Sequence, residues 1–265
     1  MSLIDSHCHL QSFVQKKSLD GVLSRARSAG VNRFITVGTN LDDWKSYLSL
    51  AHSNRDIFYS VGLHPCYVGR NWSKDVEKIP EYWDESTQPV AFGEIGLDYF
   101  HLPKDKNKAA EIVNQQKKCF SNQLEFASSL CCPIIIHSRN SFEDCVSLID
   151  QSDLDWQRVV FHCFSEGKPQ IQKLGDRGGR ASFTGNITFA GNEPILDAIR
   201  YQGIEKLMLE TDSPYLCPEP NRKSKNEPFR LREILIFLNS YFDEKLHTLE
   251  ELIKVNTEEF FKLSG

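Results

Sequence analysis

No stretch of this 265-residue chain is apolar over anything like the roughly 20 residues that span a bilayer. Its N-terminus runs into a polar, histidine-rich segment, without the basic and then apolar pattern of a leader. Together these absences exclude a helical membrane span and lead us to expect a cytoplasmic protein. Cysteine occurs at 8, 66, 119, 131, 132, 145, 163 and 217 but never as Cys-x-x-Cys, in a chain far larger than disulfide-dependent miniproteins. Reduced thiols are therefore expected. Cys119, Cys145 and the Cys131-Cys132 pair sit in apolar surroundings and read as small core residues, and none of the eight is assigned to a metal. An excess of cations is also missing: 31 Lys and Arg against 36 Asp and Glu leave a net charge of −5. That balance excludes a broad basic surface gripping nucleic acid, so any such contact must be local. Linkers, internal repeats and low-complexity tracts are absent as well, and residues 1–265 read as one domain.

What is present is a repeating order. Short apolar or β-branched runs recur at Leu3 to Asp5, Arg33 to Val37, Ile57 to Gly62, Val90 to Gly93, Pro133 to Ile136, Arg158 to Phe161, Arg180 to Phe183 and Lys206 to Leu209. Helical spacing lies between them, as in Leu19, Val22, Leu23 and Ala26 and the stretch from Lys108 to Leu130. Eight βα units in this length predict an α/β fold of the (β/α)8 TIM-barrel type over an open doubly wound sheet. No Gly-x-Gly-x-x-Gly follows the first run, which removes the main sign of a dinucleotide-binding sheet. Two further helices are expected at the C-terminus, one from Phe229 to Phe242 and one opening at Thr248 with Glu251 completing a capping box.

The polar residues near the predicted strand ends carry the chemistry. In His7-Cys8-His9 the two imidazoles project to one side of a strand and Cys8 to the other. His64, Glu94, His137, His162 and Asp212 then follow later strands, and in a barrel those ends converge. Four histidines (7, 9, 137 and 162) and two carboxylates form a mixed nitrogen and oxygen set suited to Zn²⁺, Mn²⁺ or Fe²⁺, and tolerant of a hydrated Mg²⁺. Six ligands exceed what one open catalytic zinc requires. A two-metal centre with a bridging carboxylate, a recurring device for phosphate-ester cleavage, follows.

Taken in order, Asp5-Ser6-His7-Cys8-His9, Gly62-Leu63-His64-Pro65, Gly93-Glu94-Ile95-Gly96-Leu97-Asp98-Tyr99, Ile136-His137-Ser138-Arg139, His162-Cys163-Phe164-Ser165 and Leu209-Glu210-Thr211-Asp212-Ser213-Pro214-Tyr215-Leu216 resemble the TatD family of metal-dependent deoxyribonucleases. The resemblance runs from Ile4 to the closing helix. It implies that His7, His9 and Asp212 hold one divalent ion, that His137 and His162 hold a second, and that Glu94 bridges them. It further implies two ions per chain (Mg, Mn or Zn) and 3′ to 5′ removal of nucleotides from DNA, single-stranded or at strand ends. A glutamate at position 94, where related barrels offer a carboxylated lysine, points away from urease-like chemistry. Asp212 is the expected base for the attacking water, with Glu94 beside it in catalysis.

His64, Arg139 and Arg222 are candidates for the substrate. His64 either donates to a phosphate or leaving group or is a structural imidazole bonded to a neighbouring carbonyl. Arg139 offers a fork for phosphate oxygens, with an ion pair to Asp98 as the rival reading. The loop from Cys217 to Pro228 is locally basic through Arg222, Lys223 and Lys225. It departs from the family's Pro-x-Arg-Gly-Lys pattern by placing Lys223 where a glycine stands and Ser224 where a lysine does. If that glycine adopts φ > 0, Lys223 makes the conformation costly. A monomer is expected. Two other functions fit the same residues: a barrel hydrolase of another ester, such as a D-aminoacyl-tRNA deacylase, and a noncatalytic metal-binding scaffold.

Overall fold

The structure, a computed structural model, describes residues 2–242 and 244–263. Eight parallel strands follow one another around a sheet in sequence order. They are β1 (Leu3–Cys8), β2 (Val31–Thr36), β3 (Ile57–Val61), β4 (Ala91–Asp98), β5 (Ile134–Arg139), β6 (Val159–Phe161), β7 (Arg180–Phe183) and β8 (Met208–Leu209). The helices are α1 (Gln11–Gln15), α2 (Leu19–Ser28), α3 (Leu41–Ser53), α4 (Trp72–Val76), α5 (Lys106–Ser129), α6 (Phe142–Asp150), α7 (Lys168–Arg177), α8 (Glu193–Gln202), α9 (Leu231–Asn239) and α10 (Leu246–Phe261). This is the (β/α)8 barrel the alternation predicts. Among the described residues no helix is long and apolar enough to cross a membrane.

β8 is too short to close the ring by a strand ladder, and the seam to β1 is sewn by other means. Ser6 Oγ donates to Leu209 O at 3.0 Å, and beyond the strand Asp212 N donates to His7 O at 2.9 Å and His9 N to Ser213 O at 2.7 Å. The buried Asp5 carboxylate accepts from both the backbone N and the hydroxyl of Thr211, at 2.9 and 2.5 Å. His7, His9 and Asp212 are thereby fixed relative to one another by the closure of the barrel itself.

Two apolar clusters divide the core. The larger lies between strands and helices. The smaller joins Ile4, Ile35, Val37, Ala91, Ile135, Val160 and Met208, residues of strands on opposite sides of the ring, which can meet only in the barrel interior. Phe260, Phe261 and Leu263 complete it from the end of α10. There Arg33 Nη1 holds Glu258 at 2.7 Å and Arg180 lies over the Phe260 ring, so α10 plugs the end where the strands begin. The polar site is left at the opposite end.

Local signals were met unevenly. The last helix starts at Leu246 and not at Thr248; Lys245 O already accepts from Thr248 N and Leu249 N, and no side chain caps the helix. The expected capping box therefore does not form, because burying Leu249 and Ile253 sets the helix one turn earlier, and Glu251 bonds Lys254 instead. A capping box does form at α3, where Asn40 Oδ1 accepts from Asp43 N and Asp43 reaches back to Asn40 N. The expected helix from Phe229 to Phe242 is shorter, Leu231–Asn239, preceded by a 3-10 turn at Pro228–Arg230. All eight cysteines are free thiols; Cys119 and Cys145 are buried as expected, whereas Cys131 is exposed.

Two glycines let β4 press against its neighbour. Gly93 and Gly96 have φ of 143° and 142°, and a Cβ on either would run into the backbone carbonyl of Ile135 or His137. Gly96→Ala is expected to destabilise the fold by about 3 kcal/mol or more, from backbone strain plus overpacking. Urea unfolding would register this as a lower midpoint; an unchanged midpoint would show that β4 tolerates a shift away from β5.

Candidate metal centre

Five of the chain's eight histidines gather around one buried carboxylate. Glu94 Oε2 lies 3.4 Å from His7 Nε2 and 3.9 Å from His9 Nε2. Its other oxygen, Oε1, lies 2.7 Å from both His137 Nδ1 and His162 Nε2, and 3.4 Å from His64 Nε2. Asp212 closes the first side, with Oδ1 at 3.2 Å from His9 Nε2 and 3.8 Å from His7 Nε2. The six residues singled out as ligands in the sequence are thus brought into one cluster. Their placement is deeper than strand ends: His7, Glu94 and His137 lie within β1, β4 and β5.

The imidazole tautomers are set from outside the cluster. His9 Nδ1 faces the Val37 carbonyl at 3.2 Å and His137 Nε2 faces Asp98 Oδ2 at 3.2 Å. Each of those nitrogens donates, which leaves His9 Nε2 and His137 Nδ1 with lone pairs aimed inward. Two pairs of nitrogens consequently face each other, His7 Nε2 with His9 Nε2 at 3.3 Å and His137 Nδ1 with His162 Nε2 at 3.4 Å. Facing lone pairs repel unless a proton or cation lies between them, so this donor set fits divalent metal ions.

Electrostatics tell the same story. Burial opposes ionisation of Glu94, but His162, His64 and the hydrogen bonds of His137 and His162 outweigh it and hold the carboxyl well below its usual range. Burial likewise works against charging His162, yet Glu94 and Glu210 raise it well above the ordinary imidazole value. Burial, and then the charge of His162 stacked 3.9 Å away, lower His7. Asp212 is lowered because its hydrogen bond and attraction to His9 exceed the cost of burial. Carboxylates stay ionised here while imidazoles compete for protons, as in a site built around positive charge.

Three supporting carboxylates were not singled out as parts of the site. Asp98 holds His137; Glu210, fully buried, faces His162 Nδ1 at 3.5 Å and accepts from Cys163 N and Ser182 Oγ, both at 2.6 Å. Asp5 ties the seam, and burial, only partly offset by Thr211, pushes its carboxyl up to about 8. Their signal was in the motifs themselves, two to four residues from the candidate ligands, but nothing in residue type separates a ligand from a group that orients it.

The substrate candidates divide. His64 Nδ1 accepts from Cys66 N at 3.0 Å, so the neutral ring carries its proton on Nε2, facing Glu94. Its structural bond is therefore to a backbone N–H and not to a carbonyl. Arg139 makes no ion pair with Asp98 among the described residues; its guanidinium lies over the exposed Phe100 ring at 4.0 Å, while His137 and His101 occupy Asp98. Arg222 lies over Phe189 at 4.1 Å, outside the histidine cluster. Lys223 is not among the residues with positive φ, so the feared backbone cost does not arise.

Comparison with known proteins gives the chain its relatives. The family model for TatD related DNase matches residues 4–262. An Escherichia coli protein named an uncharacterized metal-dependent hydrolase, YcfH, is 33% identical over 99% of this chain and 96% of its own length. The Klebsiella pneumoniae protein named 3′-5′ ssDNA/RNA exonuclease TatD is 30% identical over 98% of this chain and 97% of its own. The crystal structure of YJJV, a TatD homologue from Escherichia coli, superposes with a TM-score of 0.89 at 25% identity, covering 99% of this chain and 98% of that one. With the matched residues spanning nearly the whole barrel and its histidine cluster, the chain belongs to the TatD-related DNase family of metal-dependent hydrolases.

Proposed function

We propose that the protein is a two-metal exonuclease that shortens single-stranded nucleic-acid ends, DNA foremost, from 3′ to 5′. The observation that carries this reading is the division of Glu94, one oxygen toward the His7 and His9 pair and the other toward His137 and His162. In this reading His7, His9 and Asp212 would hold one ion and His137 and His162 the other, with Glu94 available to both. Bound divalent ions would make water acidic enough to attack near neutral pH and would offset charge on the phosphate oxygens. Asp212, ionised, would accept one proton from the water as its oxygen bonds to phosphorus and the P–O3′ bond breaks, the departing O3′ taking a proton from solvent. His64, pushed down to about 4 by burial and then by His137, stays neutral and offers Nε2–H to a phosphate oxygen.

Exposed aromatics support a single-stranded substrate. Tyr67 and Tyr215 follow β3 and β8, and their rings lie near the site: Tyr215 is 5.9 Å from the His9 ring and Tyr67 is 6.2 Å from that of His64. Such rings stack bases without reading sequence, which suits an acidic protein that needs few phosphate contacts.

The test is digestion of 5′-labelled single- and double-stranded DNA by metal-stripped protein resupplied with Mg²⁺, Mn²⁺ or Zn²⁺ separately. Progressive shortening is the expected result. Intact DNA with every metal, alongside hydrolysis of aminoacyl esters, would replace the phosphodiester by a carbonyl substrate. Tyr215→Ala is expected to raise KM for an oligonucleotide roughly 5- to 150-fold, the value of one lost stack of about 1–3 kcal/mol, while sparing a small nitrophenyl phosphodiester. Equal losses on both substrates would place Tyr215 elsewhere in the mechanism.

A further inference from the structure

Outside the six-residue cluster a second set of metal-binding atoms converges. Cys66 Sγ, Asp98 Oδ2 and His101 Nδ1 come from the turn after β3, the end of β4 and the segment that follows it. Sγ is 3.6 Å from Oδ2 and 3.7 Å from Nδ1, and Oδ2 is 2.8 Å from Nδ1. We propose that these residues form a third cation site, selective for a thiophilic ion such as Zn²⁺ and separate from the centre around Glu94. The inference does not depend on what the enzyme cleaves.

The arrangement first excludes a nucleophile. A Cys-His-Asp relay needs the thiol and the carboxylate on opposite nitrogens of the imidazole. Here both face Nδ1, so the three atoms form a triangle and not a chain. Burial, with Asp98 next, also pushes the Cys66 thiol up to about 12, which removes an activated thiolate.

The triangle has nearly the size of one face of a zinc tetrahedron. Bond lengths of about 2.3 Å to sulfur and about 2.0–2.1 Å to nitrogen and oxygen give edges of about 3.5 Å at sulfur and about 3.3 Å between nitrogen and oxygen. Both sulfur edges match within a few tenths of an ångström. The short edge is the His101–Asp98 hydrogen bond, whose proton an ion would replace. Water would fill the fourth position, since His101 is exposed and the site opens outward.

Asp98 is the anchor. Its Oδ1 is committed to Phe100 N and His101 N at 2.9 and 3.0 Å, and Gln116 clamps its backbone on both sides, leaving Oδ2 presented. That same oxygen accepts from His137 Nε2 at 3.2 Å, so an ion here would sit one imidazole away from the Glu94 centre. A thiolate gives this site a softer character than the nitrogen and oxygen centre, which contains no sulfur.

The test is cysteine protection in the full-length chain, with Zn²⁺ alone as the ligand and iodoacetamide as the reagent, read peptide by peptide by mass spectrometry. Exposed Cys131 serves as the internal standard. We expect Zn²⁺ to slow alkylation of Cys66 at least tenfold while Cys131 reacts unchanged, and His101→Ala to abolish that protection. Cobalt loading should give a thiolate-to-metal charge-transfer band that Cys66→Ser removes, with one metal equivalent per chain lost. Protection that survives in His101→Ala would assign the shielding to the Glu94 centre and overturn the proposal. So would cobalt protein whose spectrum and metal content are the same with and without the Cys66 thiol.

Discussion

Glu94→Ala should cost this protein its metal and its activity together. The carboxylate stands within 3.9 Å of five imidazoles and, among the described residues, is the only carboxylate that faces both nitrogen pairs. Losing a group that merely orients a ligand weakens metal binding by about 10- to 100-fold, so losing the carboxylate that both ions share in the proposed function should exceed about 100-fold. Turnover should fall by about 10³ or more, since several kcal/mol of charge stabilisation at the transition state leave with the ions. Metal content by mass spectrometry, measured beside initial rates, decides the matter. A variant that kept both ions and lost only rate would make Glu94 a catalytic group without a bridging role.

The same residue contributes to a pH effect in metal-stripped protein, chiefly through His162. His162, His137 and His9 are raised above 6.5 chiefly by carboxylates that overcome the cost of burial. Groups raised in the folded state contribute stability that is complete below their unfolded value and is lost as pH rises through the folded one. The stripped protein is therefore expected to lose thermal stability as pH climbs above 6.5. Glu94→Gln should flatten that dependence, and metal should bind more tightly over the same range because fewer protons need displacing.

How much of this was written in the chain depends on what kind of interaction places each residue. The barrel was legible because strand and helix periods alternate eight times, and the convergence of His7, His9, Glu94, His137, His162 and Asp212 because each stands near the end of a predicted strand, and those ends meet in a barrel. The orienting layer was not. Asp98, Glu210 and Asp5 act through partners 39, 48 and 206 residues away (His137, His162 and Thr211), a coupling no local window contains. Arg139 shows a second limit: alternation puts it on the side of His137, but that pattern does not contain Phe100, over whose ring the guanidinium lies. Helix starts failed for a third reason. Thr248 and Glu251 have the right spacing for a cap, but burial of Leu249 and Ile253 fixed the helix start first.

Asp212→Asn separates the base from the ligand. The substitution keeps size and shape, and the backbone hydrogen bond from residue 212 to His7 O that helps close the barrel is untouched. Stability should change little, while kcat at saturating metal falls by about 10²–10⁴, the usual worth of a positioned proton acceptor. The low pKa of Asp212 sharpens the expectation. A carboxylate held below 3.8 is a feeble base toward ordinary water and can serve only a water already made acidic, so its contribution exists only with the cations present. The unsubstituted protein and the Asp212→Asn variant should accordingly differ in kcat under full metal loading and converge when metal is withheld. If Asp212 were a ligand alone, raising the metal concentration would restore the variant to full turnover, and the base would have to be sought in another residue.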